Sequence, residues 1–466
     1  MFGDLPVNEN TKISINRLSF TSMMPIQEQA IPKILEGNDV LASAKTGSGK
    51  TLAFLIPAVD MMYKRGIVQK DGVVVLIISP TRELAFQTFE VASLLLKDTE
   101  ITYGLAIGGN QKKSEASMLQ NGVNMLIATP GRLVDHIIGT KGWSLGSVKM
   151  LILDEADRIL EGNFHDQLQE IIRSIPSERQ TVLFSATQTK DVKQLAEVSF
   201  KQKPVYIGVD DGSDESTAEN LTQYYVVAPP SKRLLLLITF LHRNKSKKIM
   251  VFFATRSSAK FHHQYLKHMK LSALVIHGEQ TQQKRIESFN KFRVMKEGVL
   301  LCTDVAARGL DIPAVDWVIQ YDPPTSTKEY IHRVGRSARA GASGKALLLL
   351  LNNEKGFLNH LSEAKAKLKE LPFPLDKLLK IDKVMENAIL TDRKLQKNAK
   401  EALRTYLMGY ESHPIQDSFD IGKLDLEGIA QSFGFQEFPH LDIRITKGKT
   451  TDAEWIMKEK KKKNPK

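Results

Sequence analysis

Asp154, Glu155 and Asp157 place three carboxylates within four residues, directly after the apolar run "LIL" (151–153). Carboxylates set so close repel one another unless a cation holds them. A second stretch, "ASAKTGSGKT" (42–51), indicates what that cation serves. Gly47 and Gly49 let the backbone approach phosphates closely, and the N–H groups that open the following helix attract the anion. Lys50 is placed to contact β- and γ-phosphates, and Thr51 to ligate Mg²⁺. Ala44 stands where the general P-loop pattern has its first glycine. The expected cradle for a nucleoside triphosphate is Ala44, Thr46, Gly47, Ser48, Gly49, Lys50 and Thr51. Asp154 is then expected to hold Mg²⁺, largely through water, while Glu155 orients or deprotonates the attacking water. Asp157 is expected to organise the site and link it to "SAT" (185–187), through Ser185 and Thr187. Taken alone, the acidic run also reads as a charged strand-to-helix turn with Asp as a cap. The base has its own candidates. In "MPIQEQAIP" (24–32) the amide of Gln27 can accept from adenine N6–H and donate to N7, and the Phe2 ring could stack on the base.

These residues need parallel strands to carry them. Continuous apolar runs at 39–44, 73–80, 103–109, 124–130, 150–157 and 181–187 alternate with stretches of helical length. Strands that are apolar throughout indicate a parallel sheet covered on both faces, which is an α/β doubly wound pattern. The polar, acidic segment "GVDDGSDESTAEN" (208–220) reads as a linker, with 208–222 as its assigned bounds. A second βα series follows in "KIMVFFAT", "SALVIHG", "GVLLCTD", "WVIQYD" and "KALLLLL". After about residue 355 the strands are expected to stop and helices to continue. The end, "KEKKKKNPK", is strongly self-repelling and is expected to be disordered, as an RNA tether, a nuclear-targeting patch or a solubilising tail. The chain of 466 residues is long enough for two or three domains. Its net charge of +12 suggests a polyanionic partner, nucleic acid before an anionic membrane. The single cysteine, Cys302, excludes an intrachain disulfide and a cysteine-built zinc site. No apolar run reaches membrane-spanning length, so a soluble intracellular protein without membrane contact is expected.

The motifs, in order, resemble those of the DEAD-box RNA helicases: "PIQ", "AKTGSGKT", "PTREL" (80–84), "GG" (108–109), "TPGR" (129–132), "DEAD", "SAT", "VFFAT" (251–255), "TDVAARGLD" (303–311) and "HRVGRSAR" (332–339). The resemblance runs from Phe2 to about Leu351. It implies two tandem RecA-like domains, at 1–207 and 223–354, with ATP between them and RNA lying across both on the opposite edge. It implies that Gly309 and Asp311 approach the ribose, that Arg336 and Arg339 are arginine fingers, and that His332 couples the sites. A planar, permanently charged guanidinium suits the spread charge of a phosphoryl transition state. By the same resemblance Thr81, Arg82, Gly109, Thr129, Gly131 and Arg132 contact RNA from the first domain, and Arg256, Arg285 and Thr303 from the second. Hydroxyls and small residues there leave backbone N–H groups free for phosphates and 2′-OH groups, without reading bases. Ser337 and Ala338 stand where many relatives carry Thr and Gly, and "RLSF" (17–20) has Ser-Phe for the common Gly-Phe.

Beyond residue 355, "AKEALRTYLMGYESHPIQDSFDIGKLDLEGIAQSFGFQEFPHLDI" (399–443) resembles the extension of the Has class of nucleolar DEAD-box helicases. That resemblance implies a nuclear, nucleolar, monomeric catalytic unit acting on pre-rRNA among pre-ribosomal proteins. The residues themselves indicate only docked helices over 355–446, before a basic tail at 447–466. Ala402, Leu403, Tyr406 and Leu407 share one face, and Leu426, Ile429, Ala430 and Phe433 another. The chemistry expected overall is RNA-stimulated ATP hydrolysis that separates short duplexes or remodels RNA–protein contacts. A DNA translocase of related build and an ATP-gated RNA clamp or assembly scaffold are the competing readings.

Overall fold

The computed structural model describes all residues except 19, 45–46, 162–163, 186–194, 196–198, 201, 210–219, 305–314, 339–342, 374 and 444–466. The chain divides into two compact units, each built on one seven-stranded sheet. The first sheet contains β1 (Val40–Ser43), β2 (Val75–Ile78), β3 (Tyr103–Ala106), β4 (Met125–Ala128), β5 (Met150–Leu153), β6 (Gln180–Ser185) and β7 (Val205–Gly208). Their order is β3-β4-β2-β5-β6-β1-β7, and every pairing is parallel. Strands such as "VLII" and "MLIL" are buried at every position, because helices cover both faces of the sheet. The register sets Ser43 beside Ser185, Leu153 beside Leu183 and Ile78 beside Leu153. The segments that leave these strands therefore emerge side by side.

The second unit repeats the plan with β8 (Leu221–Val227), β9 (Lys248–Phe252), β10 (Leu274–Ile276), β11 (Gly298–Cys302), β12 (Trp317–Gln320), β13 (Gly344–Leu350) and β14 (Lys369–Glu370). Their order is β10-β11-β9-β12-β13-β8-β14, again all parallel. No helix among the described residues is long and apolar enough to cross a membrane.

Several expectations need correction. The acidic run lies outside its strand, since β5 ends at Leu153. The linker assigned to 208–222 is shortened at both ends: Gly208 belongs to β7, and Leu221 and Thr222 open β8. Strands do not stop at 355 either. Lys369–Glu370 pairs with the open edge of β8, and the Tyr225 hydroxyl donates to Glu370 Oε2 at 3.0 Å. A two-residue edge strand carries no apolar signature to announce it. The basic tail lies outside the described residues.

The extension packs into the second unit. Helix Arg393–Glu411 lies along helix Arg256–His268 and buries Ala402, Leu403, Tyr406 and Leu407, as the spacing predicts. Ile429, Ala430 and Phe433 are buried too, whereas Leu426 stays half-exposed. Phe433 meets the rings of Phe261, His262 and Tyr406 at 5.5, 5.9 and 6.0 Å. Beneath them Arg233, fully buried, donates to the Tyr406 hydroxyl at 3.2 Å and to Asp322 Oδ1 at 2.7 Å. The other Asp322 oxygen accepts from Ala254 N, at the end of β9. A buried guanidinium needs such partners to offset its lost hydration.

His262 lies inside this aromatic packing, and burial pushes its pKa down to about 4. Its Nδ1–H donates to the Ser258 carbonyl at 2.7 Å. Unfolded, the ring titrates near 6.5. Between these values the unfolded chain binds a proton that the folded one refuses, so stability is full above pH 6.5 and falls as pH drops toward 4. The loss attributable to His262 is about 3 kcal/mol. Urea unfolding of the wild type and His262→Phe at neutral and mildly acid pH checks this. The wild type should lose more stability on acidification, and equal losses would remove His262 as the cause.

Candidate nucleotide and RNA site

Because the strands are parallel, the segments that follow them gather at one rim of the sheet, where open α/β sheets bind ligands. In the first unit the cradle follows β1, "SAT" follows β6 and the acidic run follows β5. Those strands are neighbours. Next along the rim come "PTREL" after β2, "TPGR" after β4 and "GG" after β3. The motifs expected to meet nucleotide and those expected to meet RNA in this unit thus follow neighbouring strands along one rim.

The cradle begins with Ala44 N donating to Ser185 O at 3.1 Å, which ties the loop to β6. Gly47 and Gly49 both have left-handed backbones, with φ of 82° and 86°. At Gly49 a side chain would also collide with Gln27, since a Cβ would stand 2.5 Å from its Nε2. Gly49 is the N-cap of helix Lys50–Lys64, whose first turn holds Thr51. Lys50 is buried and donates from Nζ to the Ala44 carbonyl at 3.1 Å, across the loop it closes. The Ser48 hydroxyl is buried without a hydrogen-bond partner. Thr46 and Thr187 lie outside the described residues.

Gln27 is buried and already engaged on two sides. Its Oε1 accepts from Met24 N at 2.8 Å, and its Nε2 donates to Gly49 O at 2.9 Å. One lone pair and one N–H remain, so it can hold the cradle and still meet a base. Phe2 is different. It is 4% exposed and belongs to the first unit's hydrophobic core, with its backbone N–H bonded to Thr21 O. A stacking ring needs an open face, so Phe2 is corrected from base platform to core residue. Its apolar ring serves burial equally well, which is why sequence could not separate the two roles.

Asp154 follows β5, and its backbone N–H donates to Ile78 O at 3.0 Å. Burial first, then the negative charges of Glu155 and Asp157, raise its carboxyl to about 7, while Lys50 pulls it down. Glu155 takes a left-handed backbone, φ 48°, which turns the chain from β5 into helix Ala156–Glu161. That conformation costs a non-glycine residue about 1–2 kcal/mol. Glu155 is buried, and its Oε2 has no hydrogen-bond partner. Asp157 Oδ1 accepts from Arg158 N at 3.0 Å. A buried, unpartnered carboxylate oxygen beside a raised carboxyl suits Mg²⁺ and its water ligands. Asp154 and Thr51 would hold that ion.

The other half of the rim suits a polyanion. Thr81 caps helix Arg82–Leu95 by accepting from Leu84 N at 3.3 Å. The Arg82 guanidinium lies against Gly108, where a Cβ would come within 2.7 Å of it, and Gly109 has φ 96°. Thr129 precedes helix Pro130–Gly139 and makes no capping bond, and Gly131 has open space above it. Both helix N-termini thus present N–H groups at the rim. Arg132 is less available than expected. Only 11% exposed, it pairs with Glu115 at 2.9 Å and donates to Asn110 O at 3.2 Å. Glu115 also accepts from Ile107 N at 3.2 Å and meets His136 Nε2 at 2.9 Å, while His136 Nδ1 meets Thr140 Oγ1 at 2.9 Å. This network joins the "GG" turn to the "TPGR" helix. Sequence missed Glu115 and His136, because "NQKKSE" reads as a solvated charged segment.

In the second unit Arg256 is 63% exposed and pairs with Glu279 at 3.0 Å. Thr303 follows β11, and Arg285 is buried on helix Gln282–Val294. His332 and Arg336 are buried, and Arg336 Nε donates to His332 O at 3.3 Å. Arg333 was missed. It grips Asp304 with two bonds, of 2.6 and 2.8 Å, and so fixes helix Thr327–Val334 to the end of β11. Ala338 has a left-handed backbone, φ 56°. Gly309, Asp311 and Arg339 lie outside the described residues.

Residues 24–195 match the DEAD/DEAH box helicase family, 232–341 the helicase conserved C-terminal domain, and 392–441 the C-terminal extension of ATP-dependent rRNA helicases like SPB4. The chain is 48% identical over 452 residues to the probable ATP-dependent RNA helicase ddx18 of Dictyostelium discoideum, covering 97% of this chain and 75% of that one. It is 48% identical over 453 residues to the ATP-dependent RNA helicase has1 of Schizosaccharomyces pombe, covering 97% and 78%. Among solved structures, Mss116p bound to ssRNA and AMP-PNP is similar with a TM-score of 0.81 and 28% identity, covering 92% of this chain and 88% of that one. S. cerevisiae Dbp5 bound to RNA and ADP BeF3 gives 0.70 and 28%, covering 80% and 95%. With its motifs in this order on two parallel sheets, the chain belongs to the DEAD-box ATP-dependent RNA helicases.

Proposed function

We propose that this helicase acts on pre-ribosomal RNA in the nucleolus, where it separates short duplexes or remodels RNA–protein contacts with ATP and Mg²⁺. The ribosomal part is supported by the match of residues 392–441 to an rRNA-helicase extension, in a region that packs into the second unit rather than trailing from it. The observation that carries the chemistry is the buried, unpartnered Oε2 of Glu155 beside Asp154 and Lys50. Asp154 and Thr51 would hold Mg²⁺, which when bound would supply positive charge to the phosphates. Lys50 moves from the Ala44 carbonyl to a phosphate oxygen, and the Gly47–Gly49 backbone binds the others. Glu155 takes the proton of the attacking water. Arg336 and Arg339 supply guanidinium charge to the transition state, and Thr81, Thr129, Gly109 and Gly131 hold RNA by its backbone.

Glu155→Gln should retain ATP and RNA binding and lose turnover by about 10²–10⁴-fold. Single-turnover ATP hydrolysis beside nucleotide-binding titrations checks it, and near-normal turnover would remove Glu155 as the base. Gln27→Ala should weaken ATP binding and narrow the preference for ATP over GTP, by an amount corresponding to about 1–3 kcal/mol. Competition binding with the two nucleotides decides. Weaker ATP binding at an unchanged ATP/GTP ratio would mean that Gln27 only holds Gly49 in place.

A further inference from the structure

We propose that the solvent face of helix Arg393–Glu411 is a second RNA-backbone contact, holding strand that continues past the rim of the second unit. The proposal rests on the helicase reading above and on Arg256 as an RNA contact. Arg393, Lys397, Lys400 and Arg404 fall at i, i+4, i+7 and i+11, which sets them in one stripe about 16 Å long. Arg393, Lys397 and Lys400 are exposed, as is Lys394 beside them.

A merely solvated helix face interleaves charges, because Glu–Lys pairs at i,i+4 support a helix and like pairs there weaken it. This face instead sets Arg393 and Lys397, and Lys400 and Arg404, as like pairs, with Glu401, four residues after Lys397, the one acid among them. Acidic groups nearby do not cancel it. Asp392 caps the helix, Glu401 pairs with Arg404 at 2.7 Å, and Asp442 also faces Arg404, which leaves the other basic groups of the stripe uncancelled. None of Arg393, Lys394, Lys397 and Lys400 has an ion-pair partner among the described residues. The stripe costs the free protein stability, and a polyanion would recover it.

The helix is also held beside the rim. Thr405 Oγ1 meets Thr255 Oγ1 at 3.1 Å, and Asn398 bonds Gln264, so the two helices run antiparallel. Thr255 caps the neighbouring helix, and the exposed Arg256 follows it directly. Glu401 has its carboxyl lowered chiefly by Arg404, with Arg256 and Lys260 contributing. Stripe and rim thus belong to one electrostatic surface. That continuity favours RNA over an acidic protein segment. The contact would be to phosphates, without sequence preference.

The test is Lys397→Gln with Lys400→Gln in the full chain; Gln forms helix about as well as Lys, so the fold is kept. Binding is measured by anisotropy at several salt concentrations. The probes are an oligoribonucleotide just long enough to saturate the ATPase and the same oligonucleotide extended at each end in turn. Wild type should bind one extended RNA more tightly, and the double variant should lose that gain. The slope of log K against log salt for that RNA should flatten by about 1.4, since each lysine on single-stranded RNA contributes about 0.7. ATPase with the short RNA should not change. Equal gains and equal slopes in the two proteins would overturn the proposal and leave the face to solvent or to an acidic protein. A wild type that no RNA stimulates would overturn the helicase reading, and the stripe with it.

Discussion

Parallel strand pairing is the constraint on which the rest depends. In an antiparallel sheet successive loops alternate between ends, whereas here each strand delivers its following segment to the same rim. The register then does the fine placement. Ser43 beside Ser185 and Leu183 beside Leu153 bring the cradle, the "SAT" strand and the acidic run together without any of them being close in sequence. Covering both faces with helices keeps the rim drier than a loop cluster, which raises the Asp154 carboxyl to about 7 and makes a cation its natural partner.

The backbone at the rim is not relaxed. Glu155 holds a left-handed conformation that glycine would adopt freely, and Gly47 and Gly49 occupy two more; away from the rim, beside the start of β13 in the second unit, Ala338 holds another. Such positions persist only where surrounding packing determines them, and they cluster where chemistry needs a side chain aimed in one direction. Glu155 shows why glycine is not used: the turn that costs about 1–2 kcal/mol also buries the carboxylate next to Asp154. At Ala338 the strained residue follows Ser337, whose hydroxyl donates to Val315 O at 2.7 Å and fixes the turn.

Much of this was legible in the sequence because each motif couples a strand end to a chemical need. "ASAKTGSGKT" and "LILDEAD" are apolar runs that stop abruptly at residues able to bind phosphate or metal. Where a residue can satisfy two physical demands, sequence was silent. A Phe ring suits a core as well as a base and an Arg suits a buried pair as well as a phosphate; the fold puts Phe2 in the core and pairs Arg132 with Glu115. Strand β8 and the edge strand β14 beside it were missed because neither carries a continuous apolar run, and their pairing is decided by a neighbour far along the chain. Arg333 with Asp304 was missed for the same reason: 29 residues separate two groups that only the fold brings to 2.6 Å.

The extension makes the second sheet part of a larger core, through Tyr406, Arg233 and Asp322, and so places its exposed helix face at a fixed position beside Arg256. The central claim is that a rim shared by nucleotide and RNA motifs couples the two ligands. The most direct measurement is steady-state ATP hydrolysis by the full chain without nucleic acid, with single-stranded RNA, and with DNA of the same sequence. The account predicts strong stimulation by RNA and little by DNA, since the small residues and hydroxyls proposed to hold the backbone would meet the 2′-OH. Equal stimulation by both, or none by RNA, would contradict it.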